Sequence, residues 1–117
     1  MRLLLALALA GTASAATPDA DRGRTIFQRQ CAPCHGQGVG DDGAARLPGT
    51  AALDRKYKGA MPPELEKRTD LTPDIIRLFV RNGSGAMPMF RKTEISDAEL
   101  ADLGAYLTKA PAKRRGK

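Results

Sequence analysis

The chain has 117 residues, 42% hydrophobic and 27% charged, which suits one globular domain and is too short for an eight-fold βα barrel or a full dinucleotide-binding domain. Three Phe, two Tyr and no Trp are a thin supply of large core residues, so a non-protein group is expected to add apolar bulk; two Cys exclude a multi-disulfide scaffold. The net charge of +6 lies mostly in Lys113, Arg114, Arg115 and Lys117, while residues 16–112 carry only +1, so no nucleic-acid-binding face is expected on the domain itself.

Met1 and Arg2 precede an unbroken apolar run from Leu3 to Ala10, and Ala13-Ser14-Ala15 has the small-residue pattern of a signal-peptidase site. Residues 1–15 therefore read as a cleaved export signal, with a mature chain from Ala16 and, in a bacterium, a periplasmic location. The run is too short for a permanent span, which needs about 20 apolar residues. No other segment is apolar enough, so no integral membrane segment is expected. The expected organisation is a leader over 1–15, one domain over 16–112 and a solvated basic tail over 113–117.

The first helix is expected from Asp19 to Cys31, with Gly23, Phe27 and Cys31 spaced by four along one face. It leads into Cys31-Ala32-Pro33-Cys34-His35, the C-x-x-C-H pattern of covalent c-type haem attachment. Two thiols at this spacing can form thioethers with the two vinyl groups of one porphyrin, and the adjacent imidazole can bind the iron axially. A thioredoxin-type dithiol would need a strand–helix–strand context that is missing, and a zinc site would need a third Cys or a second His. A Cys31–Cys34 disulfide is the remaining alternative. One covalent haem c is the reading that also accounts for the leader and the small core.

From His35 to Leu71 the chain is rich in Gly and Pro and gives little helix signal, apart from a short helix around Pro62–Arg68. A loop of that length is expected to wrap a large rigid group. Asp41-Asp42 in its Gly-rich part reads as a solvated turn. Thr72 and Pro73 start the next helix, with Leu71 and Ile76 as a hydrophobic staple. Ile75, Ile76, Leu78, Phe79 and Val80 form its broad apolar face, and Asn82-Gly83 ends it. Ser96 and Glu99 box the start of the last helix, which places Leu100, Leu103, Tyr106 and Leu107 at helical spacing before Pro111.

His35 is the only His, so a bis-His haem cannot be built from this chain. The second axial ligand is then Met, Lys, solvent or a partner's residue. Met87 is the first candidate: it follows a helix end, glycines beside it allow close backbone approach, and Pro88 holds it extended. Met61, also followed by Pro, is the second, and Met89 the third methionine of the mature chain.

These features resemble the class I cytochromes c. Gly23 and Phe27 look like the family's N-terminal helix pair and Leu103 and Tyr106 like their C-terminal partners. Gly85-Ala86-Met87-Pro88-Met89-Phe90 is similar to its axial-methionine loop. The resemblance implies an all-α fold with crossed N- and C-terminal helices around a covalent haem and long haem-wrapping loops. It also implies a proline carbonyl orienting the axial His, for which Pro48 is the candidate. The family's propionate-binding Trp has no counterpart, and Tyr57, Arg46 or Lys56 are the candidates to replace it.

The run from Ile76 to Phe90, above all Val80-Arg81-Asn82-Gly83 with Met87-Pro88, further resembles the small cytochrome subunit of the para-cresol methylhydroxylase and eugenol hydroxylase flavocytochromes. That likeness implies a flavoprotein partner oxidising a 4-alkylphenol and a soluble downstream electron acceptor. The expected activity is one-electron transfer, with no catalysis by this chain alone. A freely diffusing periplasmic cytochrome c, serving another dehydrogenase or a terminal oxidase, is the alternative.

Overall fold

The structure, a computed structural model, describes Gly11 and residues 15–109. Five helices follow in order: α1 (Ala20–Ile26), α2 (Ala32–His35), α3 (Pro48–Tyr57), α4 (Pro73–Asn82) and α5 (Asp97–Leu107). A π-turn over Phe27–Cys31 joins α1 to α2, and a 3₁₀ turn over Leu65–Lys67 lies between α3 and α4. Among the described residues no strand forms; Ser84 and Met87 make an isolated antiparallel bridge. The expected all-α architecture with crossed first and last helices is therefore present. The leader lies outside the described residues apart from Gly11 and Ala15, as does the whole tail over 113–117.

The crossing of α1 on α5 rests on Gly23. A Cβ built there would lie 2.5 Å from the carbonyl carbon of Asp102 and 2.8 Å from Cβ of Tyr106, so only a hydrogen fits between the helices. One turn on, the Phe27 and Tyr106 rings meet with centroids 5.6 Å apart and planes tilted by 52°, a favourable aromatic geometry. Asp102 turns back to the start of α1 and accepts from the Asp19 amide (2.7 Å) and from Nε of Arg22 (2.9 Å). The Arg22 hydrogen bonds hold the Asp102 carboxyl below the usual carboxylate range despite its burial.

Helix α5 starts with the expected capping box: the Glu99 amide donates to Ser96 Oγ (3.1 Å) and the Ser96 amide to Glu99 Oε2 (2.8 Å). In α4 the Ile75 amide donates to Thr72 Oγ1 (3.3 Å). These caps register the helices so that Ile26, Phe27, Ile76, Val80, Ile95, Leu100, Leu103, Tyr106 and Leu107 close one core.

Three local expectations change. The first helix is not uniform: the Ala32 amide bonds back to the Phe27 carbonyl, five residues earlier. Pro33 accounts for this, because a proline ring clashes with the carbonyl four residues before it, here Arg29, and opens the turn. The supposed loop after His35 contains α3, with Pro48 at its first position and Lys58 in the left-handed conformation after its last. The short helix around Pro62–Arg68 is a single 3₁₀ turn. Asp42 makes the expected turn, accepting from the Ala44 amide at 3.0 Å.

The apolar face of α4 divides in two. Ile76 and Val80 are buried in the core, whereas Ile75, Leu78 and Phe79 remain 39%, 57% and 40% exposed. One helix thus presents a covered apolar stripe and, beside it, an uncovered one.

Candidate functional site

The π-turn sets the start of the C-x-x-C-H segment. Cys31 closes the turn half-buried against the core, while Cys34 on α2 is exposed; both thiols are free, so the disulfide alternative is not formed. Burial, with a smaller contribution from Cys34, pushes the Cys31 thiol up to about 12, so it stays protonated at neutral pH. Among the described residues no group of three His, Cys, Asp or Glu side chains is placed to hold a metal ion.

His35 ends α2. Its burial lowers its pKa and favours the neutral imidazole, the form that binds metals. Its Nδ1 is buried without a hydrogen-bond partner. The start of α3 packs on this ring: a Cβ at Gly49 would lie 2.8 Å from Cε1 and 2.9 Å from Nδ1 of His35. Next to it Thr50, 2% exposed, donates from Oγ1 to the Gly36 carbonyl at 3.0 Å. Pro48 does not orient the imidazole as expected, since Nδ1 makes no hydrogen bond. Pro48 instead opens α3, and Gly49, the residue after it, is the one that packs on the ring.

Gly49 and Thr50 were not legible as site residues. The available signal was Leu47-Pro48-Gly49-Thr50 followed by Ala51, Ala52 and Leu53: a proline at a helix start and three helix formers.

The second candidate segment leaves the end of α4. Gly83 has φ 68°, in the region that favours glycine, and a Cβ there would lie 2.6 Å from the Met87 carbonyl oxygen. The chain can therefore fold back on itself. Ser84 and Met87 exchange both backbone hydrogen bonds at 3.0 Å, and the Phe90 amide donates to the Val80 carbonyl at 2.8 Å. Met87 is half-buried and held on both its backbone groups; Met61 is half-buried, and Met89 is 60% exposed.

Of the residues considered for propionates, Arg46 is paired with Glu64 (3.2 Å) and Asp54 (3.5 Å). The Tyr57 ring has Arg68 at 4.9 Å and Lys56 at 5.3 Å from its centroid.

These residues fit a haem. The Cys31–His35 segment offers two unbonded thiols and a neutral imidazole with its Nδ1 buried and unpartnered, and α4 separately carries uncovered apolar side chains. A flat apolar macrocycle is the kind of group that would cover such a stripe.

Comparison with known proteins agrees with this chemistry. A family model described as "Cytochrome C oxidase, cbb3-type, subunit III" matches residues 18–107. Cytochrome c6 of Synechocystis sp. is 32% identical over 99 residues, spanning 85% of this chain and 70% of that protein. The solved structure of cytochrome c6 from the diatom Phaeodactylum tricornutum is 29% identical and covers 82% of this chain and 94% of its own, with a TM-score of 0.46.

Proposed function

We propose, for a chain that belongs to the class I c-type cytochromes of the cbb3 oxidase subunit III family and carries one covalently bound haem c, a one-electron carrier ligated by His35 and Met87. The observation that carries the reading is the Cys31–His35 segment on one short helical stretch, with the neutral His35 ring packed against Gly49. Cys31 and Cys34 would hold the haem, each through a thioether to one vinyl group. His35, whose Nδ1 lies against Gly49, would hold the iron through Nε2. Met87 gives a soft, neutral sulfur ligand, and its doubly tied backbone favours it over Met61. Haem c, when bound, would supply a ferric–ferrous couple. Ile75, Leu78 and Phe79, uncovered on α4, would be the apolar side chains available to exclude water from it.

The carrier serves its partners by diffusion, or serves a terminal oxidase, rather than acting as a fixed flavocytochrome subunit. The family match is to an oxidase-associated cytochrome and the relative to a cytochrome c6, and both favour this reading over the flavoprotein partner implied by Val80–Phe90. No helix among the described residues is long and apolar enough to cross a membrane. The reading carries with it export through the leader over 1–15 and, in a bacterium, a periplasmic location, with one domain over 16–112 and a basic tail over 113–117. Gel filtration of a native periplasmic extract, followed by haem absorbance, tests this. A haem peak at the size of the free mature chain is expected; a single flavin-containing peak at higher mass, stable to salt, would restore the subunit reading.

A further inference from the structure

We propose that Arg81 is a positioning residue for the axial-methionine segment, acting through two backbone carbonyls; this rests on the Met87 reading above. Arg81 lies in the last turn of α4 with its side chain only 20% exposed. Its Nη1 donates to the carbonyl of Phe90 at 3.0 Å and to that of Ile95 at 2.8 Å, and its Nη2 donates to Asp97 Oδ1 at 2.9 Å. One guanidinium therefore ties the end of α4 to both sides of the turn that follows the Met87 segment, and to the first residue of α5.

The geometry restricts Met87 from both directions. On its N-terminal side Gly83 and the Ser84–Met87 bridge fold the chain back on α4. On its C-terminal side Phe90 is held by its amide, which donates to Val80, and by its carbonyl, which accepts from Arg81. Without Arg81 the second restraint is halved. Ile95 is 0% exposed, so its carbonyl would lose its charged donor in a site that water does not reach. The segment would relieve this by moving away from α4, and the methionine sulfur would move with it.

Asp97 has a different role. It also takes Lys92 Nζ at 2.9 Å and is half-exposed, so the ion pair with Arg81 is a surface contact with little effect on the segment. Arg81 matters because one of its nitrogens, Nη1, reaches both carbonyls while Nη2 holds Asp97, a combination of reach and charge that a shorter or neutral side chain cannot reproduce.

The test uses the full-length holoprotein in its ferric form. The readouts are the near-infrared sulfur-to-iron band and the affinity for added imidazole, which competes with methionine. Of the three hydrogen bonds that Arg81→Leu removes, the charge-assisted one to the Phe90 carbonyl restrains the segment directly, and its loss should raise imidazole affinity about tenfold and weaken the band. Arg81→Gln, which keeps one donor, should fall between Arg81→Leu and the parent, and keeps the test open if the Leu variant does not fold. Asp97→Asn should leave both readouts unchanged. Gly23→Ala, destabilised at the distant helix crossing, should lower stability without moving either readout. If Arg81→Leu and Arg81→Gln lower stability alone while Met87→Ala abolishes the band, the positioning role is overturned and the Met87 ligand stands. If Met87→Ala keeps the band, the ligand reading itself fails and Arg81 has no axial sulfur to position.

Discussion

Gly23→Ala tests the helix crossing on which the fold depends. In a free helix the change would help, because Ala is favoured over Gly by about 1 kcal/mol. Here the new Cβ would lie 2.5 Å from the Asp102 carbonyl carbon and 2.8 Å from Tyr106 Cβ. Both neighbours are rigid: one is backbone inside α5, and the other is the first side-chain atom of a residue 4% exposed. Ordinary contact between such carbons is about 3.5–4.0 Å, so the helices must separate by about 1 Å. That separation would also pull Phe27 from Tyr106 and lengthen the Asp19 and Arg22 hydrogen bonds to Asp102. Overpacking of this kind costs about 1–3 kcal/mol, and the lost aromatic contact about 0.5–1.5 kcal/mol more. Steric cost outweighs propensity, for a net loss of about 1–3 kcal/mol. Urea unfolding of the holoprotein, followed by helical circular dichroism, should show a lower midpoint and an unchanged slope. The exposed helix variant Gln28→Ala serves as the baseline and should stay within about 0.5 kcal/mol of the parent. A Gly23→Ala protein as stable as the parent, or more so, would show that α1 and α5 do not cross this closely.

Met87→Ala should abolish the near-infrared sulfur-to-iron band and let cyanide or carbon monoxide bind readily, whereas Met61→Ala and Met89→Ala should keep the band; loss in Met61→Ala alone would transfer the role there. Gly49→Ala should disturb the His35 ring, because the added methyl would lie 2.8 Å from its Cε1, and a shifted reduction potential in a folded protein is the expected readout. Thr50→Val should cost about 1–2 kcal/mol in urea unfolding, since the half-buried Gly36 carbonyl loses the donor supplied by the buried Thr50 hydroxyl while the side-chain volume is kept. Asp102 has a folded pKa below its unfolded value of about 3.9, so its contribution is fully present above that value and is lost as the pH falls through the lower, folded one. Asp102→Asn should therefore destabilise the protein at neutral pH and flatten the fall in stability below about pH 4; an unchanged acid limb would contradict the Arg22 pairing.

The parts legible in the sequence were those governed by local chemistry. Thr72-Pro73 and Ser96-Glu99 announced their helices because caps act within four residues, and both caps are made as expected. Gly23 was readable as a crossing point only through the resemblance to the class I cytochromes c, whose N-terminal helix pair it matches together with Phe27. The π-turn was less visible, since Phe27–Cys31 has ordinary helix formers and only Pro33 signals the wider turn. Helix α3 was hidden for a different reason: Gly49 and Thr50 are poor helix formers, and their places are set by contact with His35 and the Gly36 carbonyl. The division of the α4 face was also out of reach. Periodicity groups Ile75, Ile76, Leu78, Phe79 and Val80 together, and only packing against α5 separates covered residues from uncovered ones. The Arg81 fork spans nine and fourteen residues to its two carbonyls, beyond any local pattern.

Covalent attachment of haem through Cys31 and Cys34 is the claim on which the rest depends, and intact-mass measurement of the purified periplasmic protein tests it most directly. Expected is a polypeptide beginning at Ala16, heavier by the mass of one haem and still so after acid–acetone treatment. Each of Cys31→Ser and Cys34→Ser should lower the yield of loaded protein, and the double variant should carry no covalent haem. A haem that extracts freely from the parent chain, or a double variant that keeps the added mass, would contradict the assignment.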